Sequence, residues 1–224
     1  MNVGLVQACD DRRLFNFPLW PKQRALLEAV EAGHRLHVWA LGRRSGKTTL
    51  AAIVGLHTCL FKPSIAARVR PGERFYAVAV ATNLRQARLF VSAARSIVEA
   101  SELLADQVVS VTEDEIVFAT GGVLTAFPCS SRGGRGWPVA ALLMDEAAFF
   151  LSETEGPQVA ERVFEALVPS TAQFGGLARV IVASTPYGTD GLFAGLRRRG
   201  IRSRSSLNTA RSLSARGARS LTPT

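Results

Sequence analysis

Two stretches of the sequence contain residue types that can act on a triphosphate. The first lies between the apolar run 36–41 and an apolar segment that begins at Leu50, and it reads Gly42-Arg43-Arg44-Ser45-Gly46-Lys47-Thr48-Thr49. Here a glycine lets backbone N–H groups approach phosphate oxygens, a lysine supplies a compact positive charge, and a threonine hydroxyl can bind Mg²⁺. The order strand, phosphate loop, helix predicts an ATP site.

The loop departs from the usual phosphate-loop pattern at one position. That pattern has a glycine five residues before the second glycine, whereas this position is Leu41 and Gly42 follows one residue late. A glycine-lysine-threonine sequence also occurs by chance. A second site is therefore needed before the loop can be interpreted as a nucleotide site.

The second stretch is an apolar run, residues 139–144, that ends in Asp145 and Glu146. Desolvating unpaired acids at the end of a buried strand is costly, so adjacent carboxylates have few structural explanations there. In a phosphate-loop ATPase the first acid holds Mg²⁺ and the second polarises the attacking water. The two motifs occur in the expected order, about 100 residues apart. Together they predict ATP hydrolysis, with Lys47 and Thr48 on the opposite side of the phosphates.

Two polar features could complete the site, and each has a structural alternative. Gln23 lies just inside a predicted helix, and its amide has the donor and the acceptor needed to read adenine; the alternative is an exposed glutamine at a helix start. Ser184, Thr185 and Pro186 end the strand predicted at 177–183. Their hydroxyls could sense the γ-phosphate, which the other two motifs favour over an ordinary strand exit.

Arginines occur in two segments whose role the sequence leaves open. Residues 130–136 are rich in glycine and serine and include Arg132 and Arg135. This segment could hold phosphate, from DNA or from a neighbour's ATP, or it could be a flexible connection. Arg85 and Arg88 follow a predicted strand, near the sheet edge where ligands of open α/β folds bind. A solvated first helical turn explains them slightly better than contact with DNA.

Apolar runs of strand length alternate with helical periods, as in an α/β protein. Residues 75–81 predict a buried parallel strand, and Thr82 or Asn83 can cap a helix that continues to about residue 100. An antiparallel meander is predicted from short β-like runs at 108–111, 116–119 and 123–127. We expect a P-loop NTPase fold of the RecA/ASCE type: a mainly parallel sheet flanked by helices, with a small antiparallel β insertion.

Composition further limits the classes of protein to which this chain could belong. The 224 residues, 47% of them apolar, suffice for one domain with a substantial core. No apolar run reaches the roughly 18 residues of a membrane span and no signal peptide is indicated, so we expect a soluble intracellular chain. The three cysteines are widely spaced, which indicates neither disulfides nor a zinc site.

The net charge of +9 is concentrated at the C-terminal end of the chain. Residues 191–224 hold eight arginines and no acid, which leaves 19 basic and 18 acidic residues in residues 1–190. Positive charge therefore supports DNA binding only through the tail or through local clusters.

Four motifs together resemble the ATPase domain of the large terminase subunit, the DNA-packaging motor of tailed bacteriophages. They are Trp20-Pro21-Lys22-Gln23, Gly42 to Thr48, Met144-Asp145-Glu146-Ala147-Ala148-Phe149, and Ser184-Thr185-Pro186-Tyr187-Gly188 with Gly191-Leu192-Phe193. The arginine-bearing phosphate loop is similar to that family's variant. The resemblance spans roughly residues 17–198, and its specificity lies in the set.

The resemblance implies roles for individual residues. Gln23 would contact adenine, and the nucleotide would be bound by Gly42, Arg43, Arg44, Ser45, Gly46, Lys47, Thr48 and Thr49. Arg43 would contact the phosphates and act in catalysis together with Lys47 and Glu146. Thr48 and Asp145 would hold Mg²⁺, and Ser184, Thr185 and Pro186 would couple hydrolysis to motion.

The resemblance also implies partners and a place of action. These are double-stranded viral DNA, a homo-oligomeric ring, the phage portal and the small terminase subunit, in the cytoplasm of a bacterial host and without a membrane. In such rings a neighbour's arginine can complete the site, and Arg132 and Arg135 are candidates.

The chain departs from the family after Asp190. Large terminases continue into an RNase H-like nuclease domain, whereas residues 197–224 are rich in arginine and serine, lack a hydrophobic period and contain no acid. We expect a loose lead-in at 1–17, an ATPase domain at 18–196 and a disordered basic tail at 197–224, without nuclease activity. Such a chain would be a fragment, a split gene product or a frameshift product.

Two other interpretations of the same residues stay open. One is a fragment of a superfamily 2 helicase, because Asp-Glu-Ala-Ala differs by one residue from a helicase motif. The other is a catalytically idle prophage remnant that only binds nucleotide or DNA.

Overall fold

Seven strands form one sheet in a computed structural model that describes residues 3–129, 136–150, 159–185 and 191–198. In chain order they are β1 (Leu36–Ala40), β2 (Phe75–Ala81), β3 (Val108–Val111), β4 (Glu115–Phe118), β5 (Gly122–Pro128), β6 (Val139–Asp145) and β7 (Arg179–Ser184). Their order across the sheet is β1-β7-β6-β2-β5-β4-β3. The central strands β2, β6 and β7 are almost entirely buried, as their continuous apolar runs predict.

The sheet is mainly parallel. β1, β7, β6, β2 and β5 pair in parallel, whereas β4 pairs antiparallel with both β5 and β3. The predicted α/β class is confirmed, and so are the antiparallel strands. They precede β6 in the chain, as expected of the small antiparallel insertion, and β5 also pairs with β2 along its whole length. Such strand neighbours are set by tertiary contacts, which the sequence pattern does not reveal.

Helices cover both faces of the sheet. They are α1 (Leu5–Asp10), α2 (Pro21–Glu31), α3 (Lys47–Phe61), α4 (Pro63–Ala66), α5 (Leu84–Glu99), α6 (Glu102–Ala105) and α7 (Val159–Leu167), together with residues 191–198. Two 3₁₀ stretches are Ala147–Phe149 and Val168–Leu177. As predicted, Asn83 caps α5, its side chain accepting a hydrogen bond from the backbone N–H of Gln86.

Helix α3 positions the phosphate loop, and it is buried along nearly its whole length between the sheet and α5. It approaches β5 very closely at Gly122, where an added Cβ would lie 2.8 Å from the Cβ of Cys59. This contact requires glycine, and it fixes α3 relative to the strands. The other face of the sheet packs on α7 and on Leu192, Phe193 and Leu196.

The N-terminal residues differ from the expected loose lead-in. Leu5–Asp10 forms α1, and its side chains Leu5, Ala8 and Cys9 are buried in the main core. His57 in α3 makes a 2.7 Å hydrogen bond to the carbonyl of Val3. Burial lowers the pKa of His57 to about 4, against the opposing effect of this hydrogen bond, so the ring is neutral at pH 7. The helix is too short for a hydrophobic period to be visible in the sequence.

Several expectations concern residues at or beyond the limits of the described ranges. The proposed tail, apart from Arg197 and Arg198, and the loop 130–135 lie outside them. The boundaries of the expected domain, 18–196, stay a prediction. Within the described ranges no helix is long and apolar enough to cross a membrane. All three cysteines are free thiols.

Candidate active site

The phosphate loop joins the end of β1 to the first turn of α3. Gly46 is the residue before α3 and has a φ of 78°, and Arg44 has a φ of 58°. Glycine adopts the left-handed region without steric cost, whereas arginine does not. A Cβ at Gly46 would also lie 2.9 Å from Nε2 of Gln23. The backbone conformation therefore requires the second glycine of the motif, and a Cβ there would also displace the end of the Gln23 side chain.

Lys47 points from the start of α3 to the carboxyl ends of β6 and β7. Its Nζ lies 2.7 Å from Oε1 of Glu146 and donates a 3.3 Å hydrogen bond to Oγ1 of Thr185. The lysine is buried. The structure thus brings together the lysine of the first motif, the second acid of the second motif and a hydroxyl of the third.

Glu146 is held in an unusual conformation directly after β6. Its φ is 55°, in the left-handed region, which turns the side chain back over the edge of the sheet. Oε2 accepts hydrogen bonds from Oγ of Ser184 at 3.2 Å and from the backbone N–H of Thr185 at 3.3 Å. The serine oxygen in turn accepts from the backbone N–H of Ala148 at 3.2 Å. The carboxylate therefore contacts both Lys47 and the end of β7.

Asp145 faces the hydroxyl of Thr48. Oγ1 of Thr48 donates a 2.5 Å hydrogen bond to Oδ2 of Asp145, while Oδ1 is buried and bonds to none of the described residues. Burial raises the pKa of Asp145, and the charge of Glu146 raises it further, whereas the bond from Thr48 and the charge of Lys47 lower it. A buried carboxylate oxygen without a protein partner, next to a threonine hydroxyl, fits a bound cation.

The oxygen ligands fit Mg²⁺ in particular. Mg²⁺ in nucleotide sites takes one or two protein oxygens and completes its shell with phosphate oxygens and water. Thr48 and Asp145 supply two such oxygens. Among the described residues no group of three or more His, Cys, Asp or Glu side chains could hold a metal.

Gln23 is where the structure adds most to the sequence prediction. Its side chain is 7% exposed, donates a 3.1 Å hydrogen bond to the carbonyl of Ser45 and accepts a 3.0 Å bond from the backbone N–H of Trp20. One N–H and one lone pair of the amide are therefore used within the protein, and one of each is left for a base. Contact with adenine stays a prediction, while the contact with the phosphate loop is observed.

The remaining residues of the phosphate loop differ in exposure. Gly42, Arg43 and Arg44 are exposed, and neither arginine side chain bonds to a described residue. The hydroxyl of Ser45 is buried and has no hydrogen-bond partner among the described residues. Thr49 is half-buried in the first turn of α3. These residues line the loop as predicted, and their contacts with nucleotide stay predictions.

Three predicted residues lie outside the described ranges: Arg132, Arg135 and Pro186. The arginines at the start of α5 are described. Arg88 forms ion pairs with Glu113 and Asp114, each at 2.7 Å, which favours the solvated surface over DNA contact for this residue. Arg85 is exposed.

One contact at the site was not predicted. The backbone N–H of Ala148, in the 3₁₀ turn after β6, donates to Oγ of Ser184 and so links β6 to β7 beyond the carboxylates. A backbone donor carries no residue-type signal. Only the placement of Glu146 in a left-handed turn, which the sequence does not reveal, brings this group to the serine.

The fold is that of P-loop NTPases. A parallel sheet carries a phosphate loop after β1 and adjacent carboxylates after β6, and the lysine and the carboxylates meet at the same edge.

Solved structures place the fold among phage large terminases. The chain is similar to the large terminase of bacteriophage HK97, with a TM-score of 0.71 and 14% identity, over 90% of this chain and 41% of that one. It is similar to the ATPase domain of the Thermus phage P74-26 large terminase, with a TM-score of 0.55 and 21% identity, over 79% of this chain and 68% of that one. A mutant of the same Thermus phage domain gives a TM-score of 0.56 at 17% identity.

These likenesses confirm, at the level of the fold, the resemblance predicted from the motifs. No protein-family model and no curated protein matches the sequence. The chain spans about two fifths of the HK97 terminase, the first of these structures.

Proposed function

We propose that this chain is the ATP-hydrolysing motor domain of a phage large terminase, which drives double-stranded viral DNA into procapsids. The observation that supports this most is the convergence of two motifs about 100 residues apart in sequence. Nζ of Lys47 lies 2.7 Å from Glu146, and Oγ1 of Thr48 lies 2.5 Å from Asp145. No structural requirement of the sheet explains two carboxylates, a lysine and a threonine at one edge.

The residues act on MgATP as follows. Backbone N–H groups of the loop around Gly46 and the Lys47 ammonium bind the phosphates. Thr48 and Asp145 would hold Mg²⁺, which would supply positive charge against the charge that develops on the phosphates. Glu146 accepts a hydrogen bond from the attacking water and orients it toward the γ-phosphorus. Arg43, exposed on the loop, contacts the phosphate oxygens from the solvent side.

Ser184 and Thr185 link the nucleotide site to strand β7. Both contact Glu146, and Thr185 also contacts Lys47. When phosphate takes Lys47 away from Glu146, the hydrogen bonds at the end of β7 must rearrange. Gln23 contacts adenine with the free side of its amide and holds the loop with the other side. Residues 184–186 thereby couple hydrolysis to motion.

The proposed partners follow from the same assignment. They are double-stranded DNA, further copies of the chain in a ring, a portal protein and a small terminase subunit. Arg132 and Arg135 are candidates for the arginine that a neighbour supplies. The place of action is the cytoplasm of the bacterial host.

ATP turnover with and without duplex DNA tests the proposal. We expect Lys47→Ala to remove hydrolysis, and Glu146→Ala to remove hydrolysis while nucleotide binding persists. Turnover at the wild-type rate in Lys47→Ala would exclude this site. Strand separation by the purified chain would favour the helicase interpretation, and binding without turnover in any oligomeric state would favour the idle remnant.

A further inference from the structure

We propose that a row of basic residues at the edge of the sheet opposite the nucleotide site binds the phosphate backbone of duplex DNA. We call this row the basic edge; it consists of Arg35, Lys62, Arg68, Arg70, Arg74 and Arg179. That the bound phosphates belong to DNA rests on the proposed function. The position and charge of the basic edge do not depend on it.

The topology places three of these residues, Arg35, Arg179 and Arg74, along one line. Four neighbouring parallel strands, β1, β7, β6 and β2, begin at this edge. Arg35 directly precedes β1, Arg179 is the first residue of β7, and Arg74 directly precedes β2. Leu36 pairs with Val180, so Arg35 and Arg179 are neighbours across two strands. Because strands lie about 4.8 Å apart, the row is roughly 14 Å long.

Hydrogen bonds to the 3₁₀ stretch Val168–Leu177 hold three of these arginines in place. The guanidinium of Arg35 donates a hydrogen bond to the hydroxyl of Thr171, and that of Arg68 donates to the backbone carbonyl of Gln173. The side-chain amide of Gln173 donates a 2.8 Å bond to the backbone carbonyl of Arg68. Arg179 donates to the carbonyls of Gly176, Leu177 and Ala178 and, on the other side, of Val30. None of these bonds neutralises a guanidinium, because every acceptor is uncharged.

No hydrogen bonds of this kind to described residues hold the side chains of Lys62, Arg70 and Arg74 in place. Their side chains form no hydrogen bond or ion pair with any residue of the described ranges, and Arg70 and Arg74 are exposed. Lys62 shares a pocket with Arg179, His57 and Glu31. The lysine ammonium therefore faces a second cation, and it has only one acid within the same pocket.

The local charge balance differs from that of the rest of the chain. The segments that meet at this edge, 31–37, 62–75, 136–139 and 168–179, contain these six cations and two acids, Glu31 and Glu73. Both acids accept hydrogen bonds from backbone N–H groups, of Leu5 and Arg70. Residues 1–190 as a whole carry 19 basic and 18 acidic residues, so positive charge is concentrated at this edge.

Phosphate is the partner that this chemistry fits best. Five of the six cations are arginines, whose fork of donors matches phosphate oxygens. A duplex lying along the row presents about one charge per 1.7 Å, or roughly eight phosphates over its length. The row itself is formed by charged side chains, and two large apolar side chains, Leu36 and Trp137, are exposed beside it. It therefore suits contact with the backbone of DNA without reading bases.

Binding of the full chain to a labelled duplex of about 30 base pairs tests the proposal, without nucleotide and at several salt concentrations. The variant is Arg70→Gln with Arg74→Gln. The matched control is Arg12→Gln with Arg85→Gln, which removes two arginines that are also exposed but lie outside the basic edge. We expect Kd to rise roughly 10-fold or more near 0.1 M salt in the variant, with a salt slope flatter by about 2, and less than twofold in the control.

The other outcomes overturn the proposal. Equal losses in both double variants would show that only net charge matters, and a larger loss in the control would place DNA elsewhere. Unchanged DNA binding in the variant would leave an acidic protein as the partner. ATP turnover, measured on the same samples, separates the two proposals. If the wild type has no turnover but the variant still loses DNA binding, only the proposed function fails.

Discussion

Replacing Glu146 by glutamine should tighten the binding of ADP while it removes hydrolysis. Without nucleotide, the lysine that is proposed to bind phosphate is paired with this carboxylate at 2.7 Å, and the two side chains are 8% and 22% exposed. A nucleotide whose phosphates bind Lys47 must therefore break the ion pair between Lys47 and Glu146. An amide at this position keeps the shape of the side chain but not its charge, so Lys47 is easier to displace.

The size of the effect follows from the bond that nucleotide has to break. Hydrogen bonds between charged groups contribute about 1.5–3 kcal/mol, and about 1.4 kcal/mol corresponds to a factor of ten in affinity. Part of the bond survives with the neutral amide, so the lower end of this range applies. We expect Kd for ADP to fall roughly 10-fold in Glu146→Gln.

Calorimetric titration with ADP measures this change, and ADP is chosen because its affinity is not affected by the loss of hydrolysis. The matched control is Ser184→Ala, which removes an uncharged donor to Oε2 of Glu146 but leaves the ion pair with Lys47. Its Kd for ADP should stay within about threefold of the wild type. An ADP affinity that is unchanged or weaker in Glu146→Gln, with normal binding in Ser184→Ala, would refute the competition between carboxylate and phosphate.

Three further predictions concern the scaffold of the site. Lowering the pH from 7 to 5 should destabilise the wild type through His57, because its pKa is about 4 in the folded chain and about 6.5 when unfolded, so the unfolded chain binds the extra proton. The loss is at most about 2 kcal/mol at pH 5, and urea unfolding of the wild type and His57→Gln at both pH values should show the wild type losing more. Gly122→Ala should cost roughly 2 kcal/mol or more in the same assay at pH 7, because its Cβ would overlap Cys59, whereas Gly176→Ala, at an open position without a positive φ, should cost less. Arg44→Gly should be more stable than Arg44→Ala by about 1 kcal/mol, because residue 44 has a φ of 58°; equal stabilities would contradict the strained conformation.

The elements that carry long apolar runs could be predicted from the sequence with little error. Residues 75–81 were expected as a strand and the segment from Asn83 to about residue 100 as a helix, and they are β2 and α5. Helix α1 was missed, because six residues contain fewer than two helical turns and its burial depends on contacts with α2 and α3. The pairing of β5 with β2 was also missed. Period and propensity describe one segment at a time, whereas strand order depends on the whole chain.

The same distinction applies to the site. The residue types at positions 47, 48, 145 and 146 indicated which chemistry to expect, and their convergence at one edge is observed. The partner of each group could not be predicted. The sequence motif suggested adenine for Gln23, but the structure shows that its amide also holds the phosphate loop through Ser45. A side chain with two hydrogen-bonding functions can serve both, and only coordinates show which one the protein itself uses.

Backbone strain gives an independent argument that this edge of the sheet is the working site. Within the described ranges, three residues other than glycine have a positive φ: Asn16, Arg44 and Glu146. Asparagine tolerates the left-handed region, but arginine and glutamate pay roughly 1 kcal/mol each for it. Both of these residues belong to the motifs that meet around Lys47. Stability alone would favour glycine at both positions, so the strain supports the proposal that both side chains act at this site.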